Sequence, residues 1–183
     1  MFDTSLPYIL VQIKSNKYNL HESYSKEFIF RFYSHNDKSC IKYVVSVKDY
    51  GQSFMTLDYY PKINLTPKPY SAESIQDLRY RMLTKQNSFG YIGGTILQIM
   101  YDLQKLTGIN VWGFLAANLP EEKTNYNNKR FVIYKKILSR SYFQNHKVFG
   151  NKDNSAIFVI PNDQAGNKDL IISNYEKVFS ETN

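Results

Sequence analysis

The sequence predicts an α+β domain: a mixed, mostly antiparallel central sheet with an N-terminal β-meander and two main helices. Three observations carry this. Residues 8–60 fall into short runs of branched and aromatic residues separated by turn chemistry. A glycine-bearing stretch, Ser88-Phe89-Gly90-Tyr91-Ile92-Gly93-Gly94-Thr95, leads into residues of helical period. An apolar run without alternation, Val111 to Ala117, then precedes a second amphipathic segment, as expected of a strand buried on both faces.

Tyr8 to Lys14 reads as the first strand. Glu27 to Ser34 alternates, with Phe28, Phe30 and Phe32 on one face and Ile29, Arg31 and Tyr33 on the other. His35 to Lys38 supplies a turn, and Ile41 to Lys48 returns with Ile41, Tyr43, Val45 and Val47 in phase. After Asp49-Tyr50-Gly51, Phe54 to Tyr60 completes the meander before Pro61. One face of these strands is lined by Phe, Val and Tyr and needs a cover, for which the two later helices are the candidates. Pro61, Pro67 and Pro69 forbid regular pairing up to Tyr70, and Ser71 caps a short helix marked by Ile75, Leu78 and Met82.

The first main helix begins near Ile92 and presents Ile92, Ile96, Ile99, Leu103 and Leu106 on one face; Gly108 is placed to end it in a left-handed cap. The second begins near Asn127, with Phe131, Tyr134, Leu138 and Tyr142 as its stripe. Val148 to Gly150 and Ala156 to Ile160 form a closing hairpin around Asn151 to Asn154. Residues 1–161 are thus expected as one domain. Residues 162–183 form a C-terminal tail whose Leu170, Ile171, Ile172, Tyr175, Val178 and Phe179 suit docking on a neighbour or on the domain itself.

Composition excludes several classes. With 183 residues and 43% hydrophobic content the chain can bury a core without staples. Sixteen Tyr and twelve Phe suit half-exposed sheets and protein interfaces, and an AT-rich coding sequence accounts for them equally well. The net charge of +7 favours anionic partners, but the 23 Lys and Arg are scattered and read mostly as a solvated surface. Nucleic-acid binding is a weaker alternative for that reason. Cys40 is the only cysteine, and His21, His35 and His146 have no ligand spacing, so no metal site is expected. No apolar run approaches a membrane span and the N-terminus lacks a signal-peptide pattern, so the expected location is a reducing cytoplasm or a particle assembled there.

The order of strands, glycine loop, helix, buried strand, helix and final hairpin resembles the GNAT family of N-acetyltransferases from about Ile41 to Ile160. That family's acyl-CoA loop reads Gln/Arg-x-x-Gly-x-Gly/Ala, and laid over it Ser88 takes the basic or amide position, Tyr91 the first glycine and Gly93 the second. A shifted frame puts Gly90 on the first glycine. Such a loop aims backbone N–H groups at a pyrophosphate from a helix N-terminus. Here it lacks the basic side chain, and the space before Gly93 is either hollow or plugged, with Tyr91 the candidate plug. The family's Asn-x-x-Ala-x-x-x-Tyr spacing recurs from Asn127 to Tyr134, with Arg130 in place of alanine. In the family this tyrosine protonates the departing thiolate, and a carboxylate near the end of the fourth strand acts as base, for which Asp58 is the nearest match.

More narrowly, Thr84 to Thr95 together with Arg130 and Tyr134 resembles a group of phage-encoded, GNAT-like proteins of obscure role. The resemblance implies a viral origin. The leading expectation is a structural or assembly module of a virion, packed against other protein chains and needing no cofactor. The alternative is a working N-acyltransferase using acetyl-CoA or another acyl-CoA, with Asp58 and Tyr134 catalytic and Ser88, Gly90, Gly93 and Gly94 holding the cofactor. Each site residue also has a plain structural reading. The glycines can pack a helix start against a sheet, Tyr134 can sit in the core, and Asp58 can pair with a lysine.

Overall fold

The computed structural model describes residues 4–16, 24–36, 39–51, 54–62, 89–116, 124, 126–140 and 145–180. The expected short helix after Ser71, and Ser88 itself, lie outside them. Among the described residues the chain forms β1 (Tyr8–Ser15), β2 (Lys26–Asn36), β3 (Ser39–Asp49), β4 (Met55–Lys62), α1 (Phe89–Thr107), β5 (Trp112–Leu115), α2 (Lys129–Arg140), β6 (His146–Asn151), β7 (Ala156–Pro161) and α3 (Lys168–Ser180), with a 3-10 turn at Asn162–Asn167. The fold class is α+β, with one seven-stranded sheet in the order β1-β2-β3-β4-β5-β7-β6. Every neighbouring pair is antiparallel except β4 and β5, which run parallel.

The meander follows from its alternation. Phe28, Phe30, Phe32, Tyr43, Val45, Val47, Met55 and Leu57 are buried, in one cluster with Ile92, Ile96, Ile99, Met100 and Leu103 of α1. Each such side chain contributes about 1.5–3 kcal/mol of transfer free energy. This is why a segment with three glycines holds a helical form, although each glycine costs about 1 kcal/mol relative to alanine there. The helix accordingly starts at Phe89, three residues earlier than its periodicity indicates, and Gly90, Gly93 and Gly94 lie in its first two turns. Thr95, fully buried, ties it down: its Oγ1 accepts from the Leu6 N–H at 2.8 Å and donates to the Tyr91 carbonyl at 2.7 Å. At the other end Gly108 takes φ +74° and its N–H bonds the Gln104 carbonyl, as a left-handed cap requires. Leu106, expected on the buried stripe, is 67% exposed.

β5 is an interior strand, buried on both faces at Trp112 and Gly113. On one face Trp112 and Phe114 join the α1 cluster. On the other, Val111 joins Phe54, Phe158, Ile160 and Tyr175. Tyr175 belongs to α3, so the polar-looking tail folds back on its own sheet. Its ring stands edge-on to Phe158, 4.7 Å between centroids at 86°, directly over Gly113. Pro61, expected to stop β4, instead continues it opposite Tyr43, with no ladder demand on its missing N–H.

Candidate functional site

The parallel pairing of β4 with β5 is short. It covers Met55 opposite Trp112 and Thr56 opposite Gly113, and stops there. β4 continues along β3, and β5 continues along β7 through Phe114 and Leu115. Beyond Thr56 the two strands therefore have no ladder between them, and the sheet opens into a pocket with a cavity of about 70 Å3. Leu57, Asp58 and Tyr59 of β4 form one wall and Phe114 and Leu115 the other. Gly93, Ile96, Leu97 and Met100 of α1, and Arg130, Tyr134, Ile137 and Leu138 of α2, complete it.

Helix α2 is aimed at this gap by its cap. Asn127 takes φ +45°, and the buried Asn128 then accepts the Phe131 N–H at 2.8 Å on Oδ1, while its Nδ2 donates to the Ala116 carbonyl just past β5. Phe131 packs against Gly150, where a side chain on β6 would collide with the ring. Residues 130, 134, 137 and 138 share a helical face. With Phe131 held in the core, that face turns its polar members, Arg130 and Tyr134, toward β4.

Both candidate catalytic residues, Asp58 and Tyr134, thus line the same pocket. Tyr134 shares a hydrogen bond of 2.8 Å with the Tyr59 hydroxyl. Burial pushes its phenol pKa up and Asp58 adds to that push, while the Tyr59 bond and Arg130 oppose it. Asp58 is exposed on β4, and the pocket walls beside it remove only part of its hydration. The lost hydration raises its carboxyl pKa, against the Tyr59 backbone N–H and the charges of Lys48 and Arg130. Arg130 is 6% exposed and stands in the first turn of α2, which carries no acidic residue. A cation at a helix N-terminus opposes the helix dipole, so local helix energetics do not favour its placement. What it supplies is positive charge at a pocket wall.

Of the four candidate cofactor residues, Gly93 lines the pocket, Gly90 and Gly94 lie in the same two turns of α1, and Ser88 is outside the described residues. Tyr91, the expected plug, is 51% exposed and does not line the cavity. Sequence reasoning missed Tyr59 and the apolar walls. The only signal for Tyr59 was its adjacency to Asp58. Strand pairing also sets Cys40 beside His35 near the end of the β2–β3 hairpin, Sγ to Nε2 3.8 Å, and neither residue lines the pocket. Among the described residues no group of three or more His, Cys, Asp or Glu could hold a metal ion, and no helix is long and apolar enough to cross a membrane.

Set against family models, curated proteins and solved structures, the chain has no match in any of the three comparisons.

Proposed function

We propose that the chain is an acyl-CoA-dependent N-acyltransferase of GNAT-like architecture. The observation that carries this is the opening of the sheet between two parallel strands, with Asp58 and Tyr134 lining the one gap. The strand order and the helix joining β4 to β5 support the same reading. The donor set fits such a cosubstrate. Apolar walls suit the acyl group and its arm, Arg130 suits negative charge, and Gly93 leaves the start of α1 bare of a side chain at the pocket.

When bound, the thioester supplies the activated acyl carbon. Asp58 then takes a proton from the incoming ammonium, its raised pKa making it a better base than an ordinary carboxylate. Beyond Thr56 β4 has no partner strand on the β5 side; the Tyr59 N–H there bonds Asp58, and the remaining backbone N–H groups facing the gap are the donors for the developing oxyanion. Tyr134 carries the proton for the departing sulfur. Its raised pKa keeps the phenol loaded at neutral pH, and the Tyr59 hydroxyl fixes its direction.

The test is release of free thiol from acetyl-CoA in the presence of a panel of small amines. Tyr134→Phe is expected to lower kcat about 100-fold or more while leaving the protein folded. A wild-type protein whose melting temperature does not move with any saturating CoA species, acetyl-CoA included, contradicts the reading.

One observation favours a second reading, an assembly module. β1 is an edge strand with Ile9, Leu10, Val11 and Ile13 43–51% exposed. An exposed apolar edge invites pairing with another chain. Sedimentation velocity checks it: concentration-dependent association that Val11→Lys removes favours this reading, and a monomer at high concentration takes that support away.

A further inference from the structure

The pocket is polar at one end only. Arg130 and Tyr134 come from the first half of α2, and Asp58 and Tyr59 come from β4. One turn further along α2 the same face carries Ile137 and Leu138. Along α1 the lining runs from Gly93 to Ile96, Leu97 and Met100, about 10 Å of helix at 1.5 Å per residue. Leu97 and Met100 are buried, with the same cluster behind them, so they floor the cavity rather than face solvent. Such a floor has no polar atoms with which to hold ordered water.

The room exceeds what the smallest acyl group needs. At roughly 10–15 Å3 for each water centre, a cavity of about 70 Å3 holds about five to seven non-hydrogen atoms. An acetyl group has three. We infer that the pocket selects acyl groups with an aliphatic chain of about four to six carbons over acetyl, the chain lying against Ile96, Leu97, Met100 and Ile137. This rests on the acyl-CoA reading and specifies its donor. The thioester stays at the polar end, and the chain displaces poorly held water from the apolar floor. Each added methylene buried there tightens binding about fourfold, so hexanoyl-CoA, with four more than acetyl-CoA, is expected to bind roughly 200-fold tighter.

Titration calorimetry and thermal shift on the full chain test this with CoA, acetyl-CoA and hexanoyl-CoA. The expected order of melting-temperature shift is hexanoyl-CoA well above acetyl-CoA, with acetyl-CoA close to CoA. Ile137→Trp, at a half-buried position where an indole narrows the cavity, should bring the hexanoyl-CoA shift down to that of acetyl-CoA in the same variant. Leu115→Trp, from the opposite wall, provides an independent second variant. Equal affinities for acetyl-CoA and hexanoyl-CoA in the wild type overturn the chain-length inference and leave the acyl-CoA reading standing. No response to any of the three CoA species overturns both.

Discussion

At the scale of single residues, Asp58 connects the chemistry to stability. A carboxylate whose folded pKa lies above its unfolded value is held more tightly as the acid in the folded state. Its contribution to stability is therefore best below the unfolded pKa, about 3.9, and declines as pH rises through the folded pKa. Asp58→Asn is accordingly expected to raise the melting temperature at pH 7, to lose that advantage near pH 3, and to abolish acyl transfer. Thermal melts across that pH range check it, and a neutral or destabilising effect at pH 7 refutes it. Tyr43 makes a similar case without function. It is fully buried, stacked on Phe32 at 5.0 Å, and its hydroxyl has no hydrogen-bond partner among the described residues. Burial pushes its pKa up to about 12. Tyr43→Phe should be stabilising by about 1 kcal/mol, because an unmet buried hydroxyl is a desolvation cost. A loss of more than about 1 kcal/mol in chemical denaturation would reveal a partner for that hydroxyl.

At the scale of elements, two close approaches fix where the helices sit. A Cβ at Gly113 would collide with the Tyr175 ring. Gly113→Ala should therefore be destabilising by about 1–3 kcal/mol as α3 is pushed off β5. In a Tyr175→Ala background the same substitution should cost little, which a double-mutant cycle reads directly. Asn128→Ala removes both the α2 cap and the bond to the Ala116 carbonyl. About 2 kcal/mol, the upper end for a cap, is expected, together with a loss of ligand response because Arg130 and Tyr134 are no longer aimed. These elements also divide what the sequence makes legible from what it hides. The meander is legible because Phe28, Phe30 and Phe32 alternate with period two, and Gly108 is legible as a cap because only its place after Thr107 ends the stripe. The start of α1 is not. Gly90, Gly93 and Gly94 read locally as a loop, and only the tertiary anchoring of Ile92 and Thr95 makes them helix. Arg130 is hidden for the opposite reason: beside Lys129 it reads as part of a solvated helix start, and its burial depends on β4, which is distant in sequence.

At the scale of the whole molecule, the pocket is a property of topology. It arises where the single parallel pair in an otherwise antiparallel sheet comes apart, and no run of residues encodes that divergence. Asp58 and Tyr134 can be named from the sequence through the GNAT resemblance, whereas the apolar walls of the pocket appear only when α1, α2, β4 and β5 are assembled. The exposed apolar strand β1 lies at the far edge of the sheet from β5. Binding in the pocket and pairing at the edge are therefore separable, and Val11→Lys is expected to alter association while leaving the response to CoA species unchanged. Methyl NMR during an acetyl-CoA titration addresses the central claim most directly. The account predicts perturbation of the Leu57, Ile96, Leu115 and Leu138 methyls, with Ile9 and Ile13 of β1 and Ile171 and Ile172 of α3 unmoved. Perturbation confined to β1 or α3, or none at saturating ligand, would contradict it.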